Sequence, residues 1–327
     1  MKGISSQLEK GIFTISLDTE LAWGMVDKPE ALKANMKYYE RTRDVIDQLL
    51  LLFKKYEISA TWAFVGHLFL ETCSLIGGQK HPEIPRSNYP WYRDDWFAAD
   101  PCTNFERDPS WYGSDIIDSL LSCSVKQEVG CHSFSHILFG DQNTKRETVR
   151  AELGACQKMA KELGLNLKSF VFPRNMEGYL DELKAAGFTA FRGSDPLWYK
   201  GLPAKLKKVS HIADQAFSLS PPVVMPEVRE SLVNIPGSML YLSMDGFRRY
   251  IPVNSRIKKA RKGLHRAVKE KMIFHLWLHP FNLATAPEKL LPGFEEILKE
   301  ADALRNKGVL EIKTMNDIAR EYTKRSE

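Results

Sequence analysis

GIFTISLDTE, the stretch from residue 11 to residue 20, is a run of β-branched and aromatic residues that ends abruptly in charge. Such a run is typical of a strand buried within a parallel sheet, with polar side chains at its carboxyl end. Further strand-like runs follow at 59–66, 126–133, 168–173, 188–193, 231–236, 271–279 and 309–314, with helical periodicity at 38–56, 144–163 and 180–187. This alternation of strand and helix along the chain predicts βα units around a parallel sheet.

The composition of the 327 residues is that of a folded globular protein, with 43% hydrophobic and 27% charged residues. These proportions exclude a disordered tail, a collagen-like repeat and a coiled coil. A chain of this length is compatible with two domains or with one α/β barrel. Because no repeat or low-complexity linker divides it, we expect a single domain over 1–327, folded as a distorted (β/α) barrel.

One segment, 77–115, interrupts the alternation of strands and helices. It contains five prolines and three of the seven tryptophans of the chain. A connection of this length is usually a lid or a binding loop, and flat aromatic faces suit sugar rings. The alternative is that the same rings form a satellite hydrophobic cluster under the loop.

The first residues, MKGISSQLEKGIF, lack the apolar core of a secretory signal, and no apolar run reaches the length of a membrane-spanning helix. We therefore expect a cytoplasmic protein. The five cysteines are odd in number and show no CxxC spacing, so reduced thiols are expected.

Residues 254–271 concentrate eight Lys and Arg residues against one glutamate, whereas the whole chain carries a formal charge of +5. Apolar residues recur there at intervals of three and four, which predicts a helix with one apolar face. The basic remainder is either the solvated face of a packed helix or a peripheral contact with an anionic membrane or a phosphate-bearing substrate. No nucleic-acid partner is expected, because the chain has no recognition motif or second basic stripe.

Polar side chains suited to metal-assisted hydrolysis stand at the ends of three predicted strands. Because active sites of such barrels form at the carboxyl ends of the strands, these groups are expected to converge. They are Asp18 and Glu20, His132 and His136, and His279.

His132 and His136 have the i, i+4 spacing that places two imidazoles on one face of a helical turn, within reach of one zinc ion. A carboxylate from Asp18 or Glu20 would complete a three-ligand set with a position left for water. A carboxylate would take the proton of that water, and a histidine would protonate the leaving group. His275, within the strand, is expected to be a buried histidine with satisfied hydrogen bonds.

The segments SLDTELAWG, GCHSFSH, SFVFPRN, FRGSDPLWY and LWLHPF occur in this order along the chain. In order and context they resemble the motifs of the polysaccharide deacetylases with a NodB-homology domain, carbohydrate esterase family 4. The resemblance implies a barrel of the NodB type. It also implies a metal-dependent carbohydrate deacetylase, a hydrolase acting on C–N bonds other than peptide bonds.

Motif by motif, the resemblance implies His132 and His136 as metal ligands, Asp18 as the general base and His279 as the catalytic acid. The metal-binding aspartate of the family commonly follows the first aspartate, but here that position is Thr19. Some members have Asp-x-Asp instead, which implies Glu20 as the third ligand. Zinc is the expected ion, with cobalt or manganese as alternatives.

The resemblance also implies roles for residues around the reacting groups. Arg174, in place of the family arginine, is expected to pair with Asp18 and hold it ionised, and Asp195 to brace Arg174. A surface position is the structural alternative for Arg174. The residues expected to line an acetyl pocket are Trp198, Leu276 and Trp277, with core packing as the alternative for the first.

The predicted function is therefore the removal of N-acetyl or O-acetyl groups from a sugar or glycan precursor. A cytoplasmic location favours a lipid-linked or nucleotide-linked precursor over mature extracellular polymer. Two alternatives stay open. One is a deformylase or cyclic-amide hydrolase that uses the same site, and the other is a non-catalytic glycan-binding relative, which the Thr19 departure permits.

Overall fold

The computed structural model describes residues 8–326, apart from 198, 200, 202, 204–205, 207–209, 211–213 and 215–217. Each of the eight strand-like runs of the sequence contains a strand, and β6 and β8 are additional. The described strands are β1 (Gly11–Thr19), β2 (Thr61–Phe64), β3 (Glu128–Cys131), β4 (Ser169–Val171), β5 (Ala190–Arg192), β6 (Glu227–Arg229), β7 (Leu232–Asn234), β8 (Met239–Leu240), β9 (Ile273–Leu278) and β10 (Leu310–Ile312).

Helices follow most of the strands. The helical region expected at 38–56 is divided into two helices, because the chain breaks at Arg41. Short 3₁₀ turns directly follow β1, β2 and β4, at Leu21–Met25, Gly66–Phe69 and Pro173–Asn175. The described helices are α1 (Pro29–Glu40), α2 (Thr42–Lys55), α3 (Ser114–Leu121), α4 (Arg146–Glu162), α5 (Leu180–Ala185), α6 (Val253–Glu270), α7 (Pro280–Leu283), α8 (Pro287–Asn306) and α9 (Met315–Ser326).

The strands form one curled sheet in the order β6-β7-β5-β4-β3-β2-β1-β9-β8, with β10 also beside β1. All described pairs are parallel except β6 with β7. The stretch that contains β7 and β8 joins the two ends of the curl. Its Gly237 N–H donates to the Gly193 carbonyl (3.0 Å) beyond β5, and its Ser238 N–H donates to the His275 carbonyl (2.9 Å) in β9. The predicted distorted (β/α) barrel is thereby confirmed.

The central strand β1 is buried along its whole length and has two different faces. Phe13, Ile15 and Leu17 belong to the main hydrophobic core. Ser16 and Asp18 face the opposite way, because side chains alternate along a strand. The barrel therefore has an apolar exterior under the helices and polar side chains inside, near the carboxyl end of β1.

Helix α6 confirms the helix expected at 254–271, but its basic residues are not all solvated. Arg256 and Lys259 are buried. The Arg256 guanidinium donates to the carbonyl oxygens of Leu242 (3.2 Å) and Ser243 (2.9 Å), and Lys259 pairs with Asp214. Within the described part of the chain, no helix is long and apolar enough to cross a bilayer.

The aromatic residues of the segment 77–115 mostly pack inward. Trp96 and Trp111 are 5% and 6% exposed, whereas Trp91 is 47% exposed. Tyr89 and Phe97 belong to the same core as the barrel strands. For two of the three tryptophans, the hydrophobic cluster is therefore the better interpretation than an open sugar-binding platform.

Candidate active site

Asp18 and Glu20 reach the same site because they are two residues apart on an extended chain. Side chains alternate across a strand, so Asp18 near the end of β1 and Glu20 just after it leave the backbone on the same side. Thr19 lies between them and takes no part in this cluster, and its buried hydroxyl has no hydrogen-bond partner among the described residues. The position where the family commonly has an aspartate therefore does not contribute a ligand here.

His132 and His136 are brought together by a loop and not by the helical turn that we expected. The residues after β3 are not helical, and Ser133 and His136 have positive φ angles of 61° and 63°. The loop backbone bonds to the 3₁₀ turn that follows β2, since the Gly66 N–H donates to the Ser133 carbonyl (2.7 Å). The two imidazole rings nevertheless lie 5.0 Å apart between centroids. The expected pair of histidines is present, but it lies on a loop and not on a helical turn.

The two histidines converge on Glu20. Glu20 Oε1 lies 2.9 Å from His132 Nε2 and 3.3 Å from His136 Nε2, and all three residues are buried. Burial alone would raise the pKa of Glu20, but the charges of His279 and His136 hold it well below its ordinary value. The cluster therefore combines an ionised carboxylate with two imidazoles.

This donor set fits one divalent cation. Ligand bonds of about 2.0–2.2 Å place the atoms of a tetrahedral site about 3.3 Å apart, close to the distances observed here. His132 Nδ1–H donates to the Val171 carbonyl (2.7 Å), which leaves Nε2 as the lone-pair nitrogen toward Glu20. His136 Nδ1 is buried without a partner among the described residues.

Asp18 is held by Arg192, an arginine that the sequence analysis did not single out. The guanidinium contacts both carboxylate oxygens, at 2.6 Å and 2.7 Å, and also donates to Ser16 Oγ (2.9 Å) and Asn175 Oδ1 (3.1 Å). Burial raises the pKa of Asp18, but the charge and hydrogen bonds of Arg192 together with the charge of His279 outweigh it, and the pKa is lowered. His275 Nε2 accepts from the same Ser16 hydroxyl (2.8 Å) while its Nδ1–H donates to a backbone carbonyl (3.1 Å), so this buried histidine has satisfied hydrogen bonds.

The expectation that Arg174 pairs with Asp18 is wrong. Arg174 pairs with Asp27 instead, because its backbone turns into the left-handed region (φ 54°) after β4. Arg192 takes the expected place because it lies within β5 and points into the barrel. Asp195 consequently does not brace Arg174, and it accepts a hydrogen bond from Trp277 Nε1 (3.0 Å).

The three residues expected to line an acetyl pocket have different outcomes. Trp277 lines the pocket above Asp18 and stacks on the Arg192 guanidinium, whose carbon lies 4.3 Å from the ring centre. Leu276 does not line it. Leu276 is the neighbour of Trp277 in β9 and therefore points to the opposite face of the strand, into the hydrophobic core. Trp198 lies outside the described residues.

His279 follows β9 and closes the cluster. Its Nε2 lies 3.3 Å from Glu20 Oε1 and 3.6 Å from Asp18 Oδ2. Burial lowers the pKa of His279, but the charge and hydrogen bond of Glu20 raise it above its ordinary value. The imidazole is therefore poised to carry a proton next to both carboxylates.

The pocket over these groups has a volume of about 290 Å³. This is near the lower end of small-molecule sites, roughly 300–1,000 Å³. Its walls combine aromatic rings with cations and amides, which suits a polar ligand that has apolar faces. The lining residues beyond the cluster include Lys28, Tyr38, Arg174, Asn175, Arg248, Trp277 and Phe281.

Glu152, on α4, holds the histidine loop and was also missed. Its carboxylate accepts hydrogen bonds from the backbone N–H groups of Phe134 (2.7 Å) and Ser135 (2.8 Å) and from the Ser135 hydroxyl. All these groups are buried. A glutamate amid the apolar positions of a predicted helix was the only sequence signal for it.

We expect Glu152→Ala to lower the free energy of unfolding by about 1–3 kcal/mol, because buried donors lose their acceptor. Glu152→Gln keeps an oxygen for the two backbone N–H groups, and its loss should be smaller. Denaturant unfolding of the two variants checks this. Equal losses would show that the carboxyl oxygen does not hold the loop.

Gly24 positions the Glu20 carboxylate. A Cβ on Gly24 would stand 1.9 Å from Glu20 Oε2, so any larger residue must displace the carboxylate. We expect Gly24→Ala to weaken metal binding by about 10–100-fold, the usual effect of disturbing the surroundings of a ligand. Gly154→Ala is the matched control, since nothing lies within 4 Å of its added Cβ. Titration with zinc against a competing chelator measures both variants, and unchanged affinity in Gly24→Ala would contradict this role.

Comparison with solved structures places the fold among the polysaccharide deacetylases. The chain aligns over 97% of its length with 92% of a Mycobacterium smegmatis protein described as a polysaccharide deacetylase, at 14% identity and a TM-score of 0.64. A protein of the same description from Pseudomonas aeruginosa aligns over 96% of this chain and 91% of its own, at 12% identity and a TM-score of 0.58.

The fold is shared with an enzyme of another class. A 4-α-glucanotransferase from Thermococcus litoralis aligns over 95% of this chain and 40% of its own, at 12% identity and a TM-score of 0.54. Comparisons of the sequence with models of protein families and with curated proteins gave no match. The reaction therefore has to be argued from the site and not from the fold.

Proposed function

We propose that this protein is a metal-dependent hydrolase that removes an acetyl group from a sugar or glycan precursor. One observation carries the proposal: Glu20, His132 and His136 converge within ligating distance of one another, directly beside Asp18 and His279. The likeness to deacetylases in fold supports it.

Glu20, His132 and His136 would hold the cation, through one carboxylate oxygen and two imidazole nitrogens. Zinc suits this set best, and cobalt or manganese would accept the same ligands. A divalent cation in this place supplies Lewis-acid chemistry, since it polarises an acyl carbonyl and makes water more acidic. Three protein ligands would leave the cation room for water or substrate, as catalytic sites require.

Asp18 is the general base in this proposal. Arg192 keeps the carboxylate ionised and fixes its orientation through two hydrogen bonds. An ionised carboxylate can accept a proton from water at neutral pH, and the rigid arginine pair keeps the accepting oxygen in one place.

His279 is the catalytic acid. Its Nε2 faces the two carboxylates, which favour the protonated imidazole. A protonated imidazole at this edge of the pocket can give its proton to the leaving amine or alcohol. Trp277, which lines the same pocket, would bound the space for the acyl group.

The proposal is tested by incubating the purified protein with a panel of N- and O-acetylated sugars and measuring acetate. We expect acetate release that stops after chelation and returns on addition of zinc. Formate release from formylated sugars with no acetate from the panel would favour the deformylase. Sugar binding without turnover or bound metal would favour a non-catalytic glycan-binding protein.

We further propose an anionic, lipid-linked or nucleotide-linked precursor as substrate, met in the cytoplasm. Lys28 lines the pocket and would suit negative charge, as would Arg174 and Arg248, although Asp27 and Asp245 pair with these two arginines. Peripheral contact of residues 254–271 with an anionic membrane stays a prediction. Equal binding to neutral and anionic vesicles at low salt would contradict it.

A further inference from the structure

A second group of metal-ligating side chains lies outside the candidate active site, and two of its members belong to the segment 77–115. His67 belongs to the 3₁₀ turn that follows β2, whereas Cys73, His81 and Asp100 come from the long connection that precedes α3. One ligand atom from each of the four lies within 4.8 Å of the other three. The histidines and the aspartate are buried, and the cysteine is partly buried.

We propose that His67, Cys73, His81 and Asp100 bind one zinc ion, which fastens the connection between β2 and α3 to the barrel. The site is structural and separate from the one that carries the proposed reaction. The inference stands on the geometry of these four residues and does not depend on the proposed function.

Four of the six distances within the group are close to the edges of a tetrahedral site. His67 Nε2 lies 3.1 Å from His81 Nε2 and 3.5 Å from Asp100 Oδ2, and His81 Nε2 lies 3.3 Å from the same oxygen. Cys73 Sγ lies 3.6 Å from Asp100 Oδ2. Zinc bonds of about 2.0–2.3 Å to nitrogen, oxygen and sulfur place tetrahedral ligand atoms about 3.3–3.6 Å apart. One ion at the centre is therefore within reach of all four.

The other polar atoms of the ligands are already engaged. His67 Nδ1 lies 3.3 Å from the Trp111 carbonyl oxygen, and His81 Nδ1 lies 3.1 Å from Glu83 Oε1. Asp100 Oδ1 accepts a hydrogen bond from the Cys102 N–H (2.9 Å). Contacts of this kind orient metal-binding histidines and carboxylates in known sites. They leave Nε2 of each imidazole and Oδ2 of Asp100 directed at the common centre.

The charges also suit a divalent cation. An ionised aspartate and a metal-bound thiolate together balance a charge of +2, so the occupied site is neutral. The surrounding rings are apolar, with Trp23 4.4 Å from the His67 ring and Phe97 4.9 Å from the His81 ring. Four protein ligands in such surroundings are typical of structural zinc.

The connection between β2 and α3 has no regular secondary structure of its own. From residue 70 to residue 113 the chain, all of it described, forms turns and isolated bridges but no helix or strand. A metal site compensates for such a lack in many small folds. Trp96, in this connection, donates its indole N–H to the Ser135 carbonyl (2.8 Å), in the loop between the active-site histidines. A loss of order in the connection would therefore also disturb the loop that carries His132 and His136.

Cys102 competes with the metal ion for the sulfur of Cys73. The two sulfur atoms lie 2.9 Å apart, closer than unbonded thiols usually approach. A disulfide between them would remove Cys73 from the metal site. The experiment must therefore distinguish a zinc thiolate from a disulfide.

Cobalt substitution provides that distinction, because a cobalt–thiolate bond has its own charge-transfer absorption and the candidate active site contains no thiol. We expect cobalt-loaded wild-type protein to show this absorption and to bind two metal equivalents per chain. Cys73→Ser should lose the absorption and one equivalent. His132→Ala should keep the absorption and lose the other equivalent.

Cys123→Ser is the matched control, since Cys123 lies in none of the candidate metal groups, and it should behave as wild type. If Cys73→Ser does not fold, two measurements on the wild type still test the inference: the cobalt–thiolate absorption, and whether bound zinc protects the Cys73 thiol against an alkylating reagent. Absence of the absorption in reduced wild-type protein, or a Cys73–Cys102 disulfide that persists under cytoplasmic redox conditions, would overturn the inference. Failure to release acetate would leave all these outcomes unchanged.

Discussion

Asp18→Asn is expected to lower kcat by about 10²–10⁴-fold, the usual contribution of a general base. The amide keeps the size of the side chain and can still meet Arg192, but it cannot take a proton from water. Glu20, His132 and His136 are untouched, so the metal content should equal that of the wild type. Acetate release and metal analysis on the same samples check both halves of this prediction.

The control for Asp18→Asn is Asp181→Asn. Asp181 pairs with Arg146 at the surface and does not line the pocket, and its loss should leave kcat within a few-fold of wild type. An Asp18→Asn enzyme that keeps most of its activity would remove Asp18 from the role of base. Loss of the metal in this variant would instead make Asp18 a ligand.

Arg192→Met is expected to lower the free energy of unfolding by about 3–5 kcal/mol, because it leaves the buried Asp18 carboxylate without its partner. The pKa of Asp18 should rise when the charge that lowers it is removed. Activity should fall with the ionised fraction of Asp18. Chemical denaturation and acetate release measure the two effects.

The double variant Asp18→Asn/Arg192→Met separates the ion pair from simple packing. If the loss in Arg192→Met comes from an unpaired carboxylate, neutralising Asp18 should restore part of the stability. Strictly additive losses would mean that Arg192 stabilises the barrel by packing alone, for example against Trp277.

The sequence was sufficient to predict the barrel and the convergence of Asp18, Glu20, His132, His136 and His279. These residues lie at or shortly after the carboxyl ends of three apolar strands, and the ends of parallel strands meet at one edge. The order of strands along the sequence was therefore enough to predict that these distant segments lie close together.

The arginine that holds Asp18 could not be assigned in the same way. Arg174 follows β4 and Arg192 ends β5, and both are compatible with a position near the strand ends. Only the backbone decides between them, because the left-handed turn at Arg174 directs it to Asp27. An arginine within the apolar run FTAFRG was a signal that a buried partner is needed.

The second metal group was missed for a different reason. Its members His67, Cys73, His81 and Asp100 follow no spacing typical of zinc sites, and three of them lie in a connection without periodicity. In the sequence, the prolines and aromatic rings are the conspicuous feature of this connection. The irregular backbone that brings the four side chains together leaves no pattern in the sequence.

The most direct test of the central claim is an anomalous difference map, recorded at the zinc edge, from crystals of the zinc-loaded protein. We expect a peak at about 2.0–2.2 Å from Nε2 of His132, Nε2 of His136 and a carboxylate oxygen of Glu20. A fully zinc-loaded crystal with no peak among these three residues, or with a peak bound by other side chains beside Asp18, would contradict it.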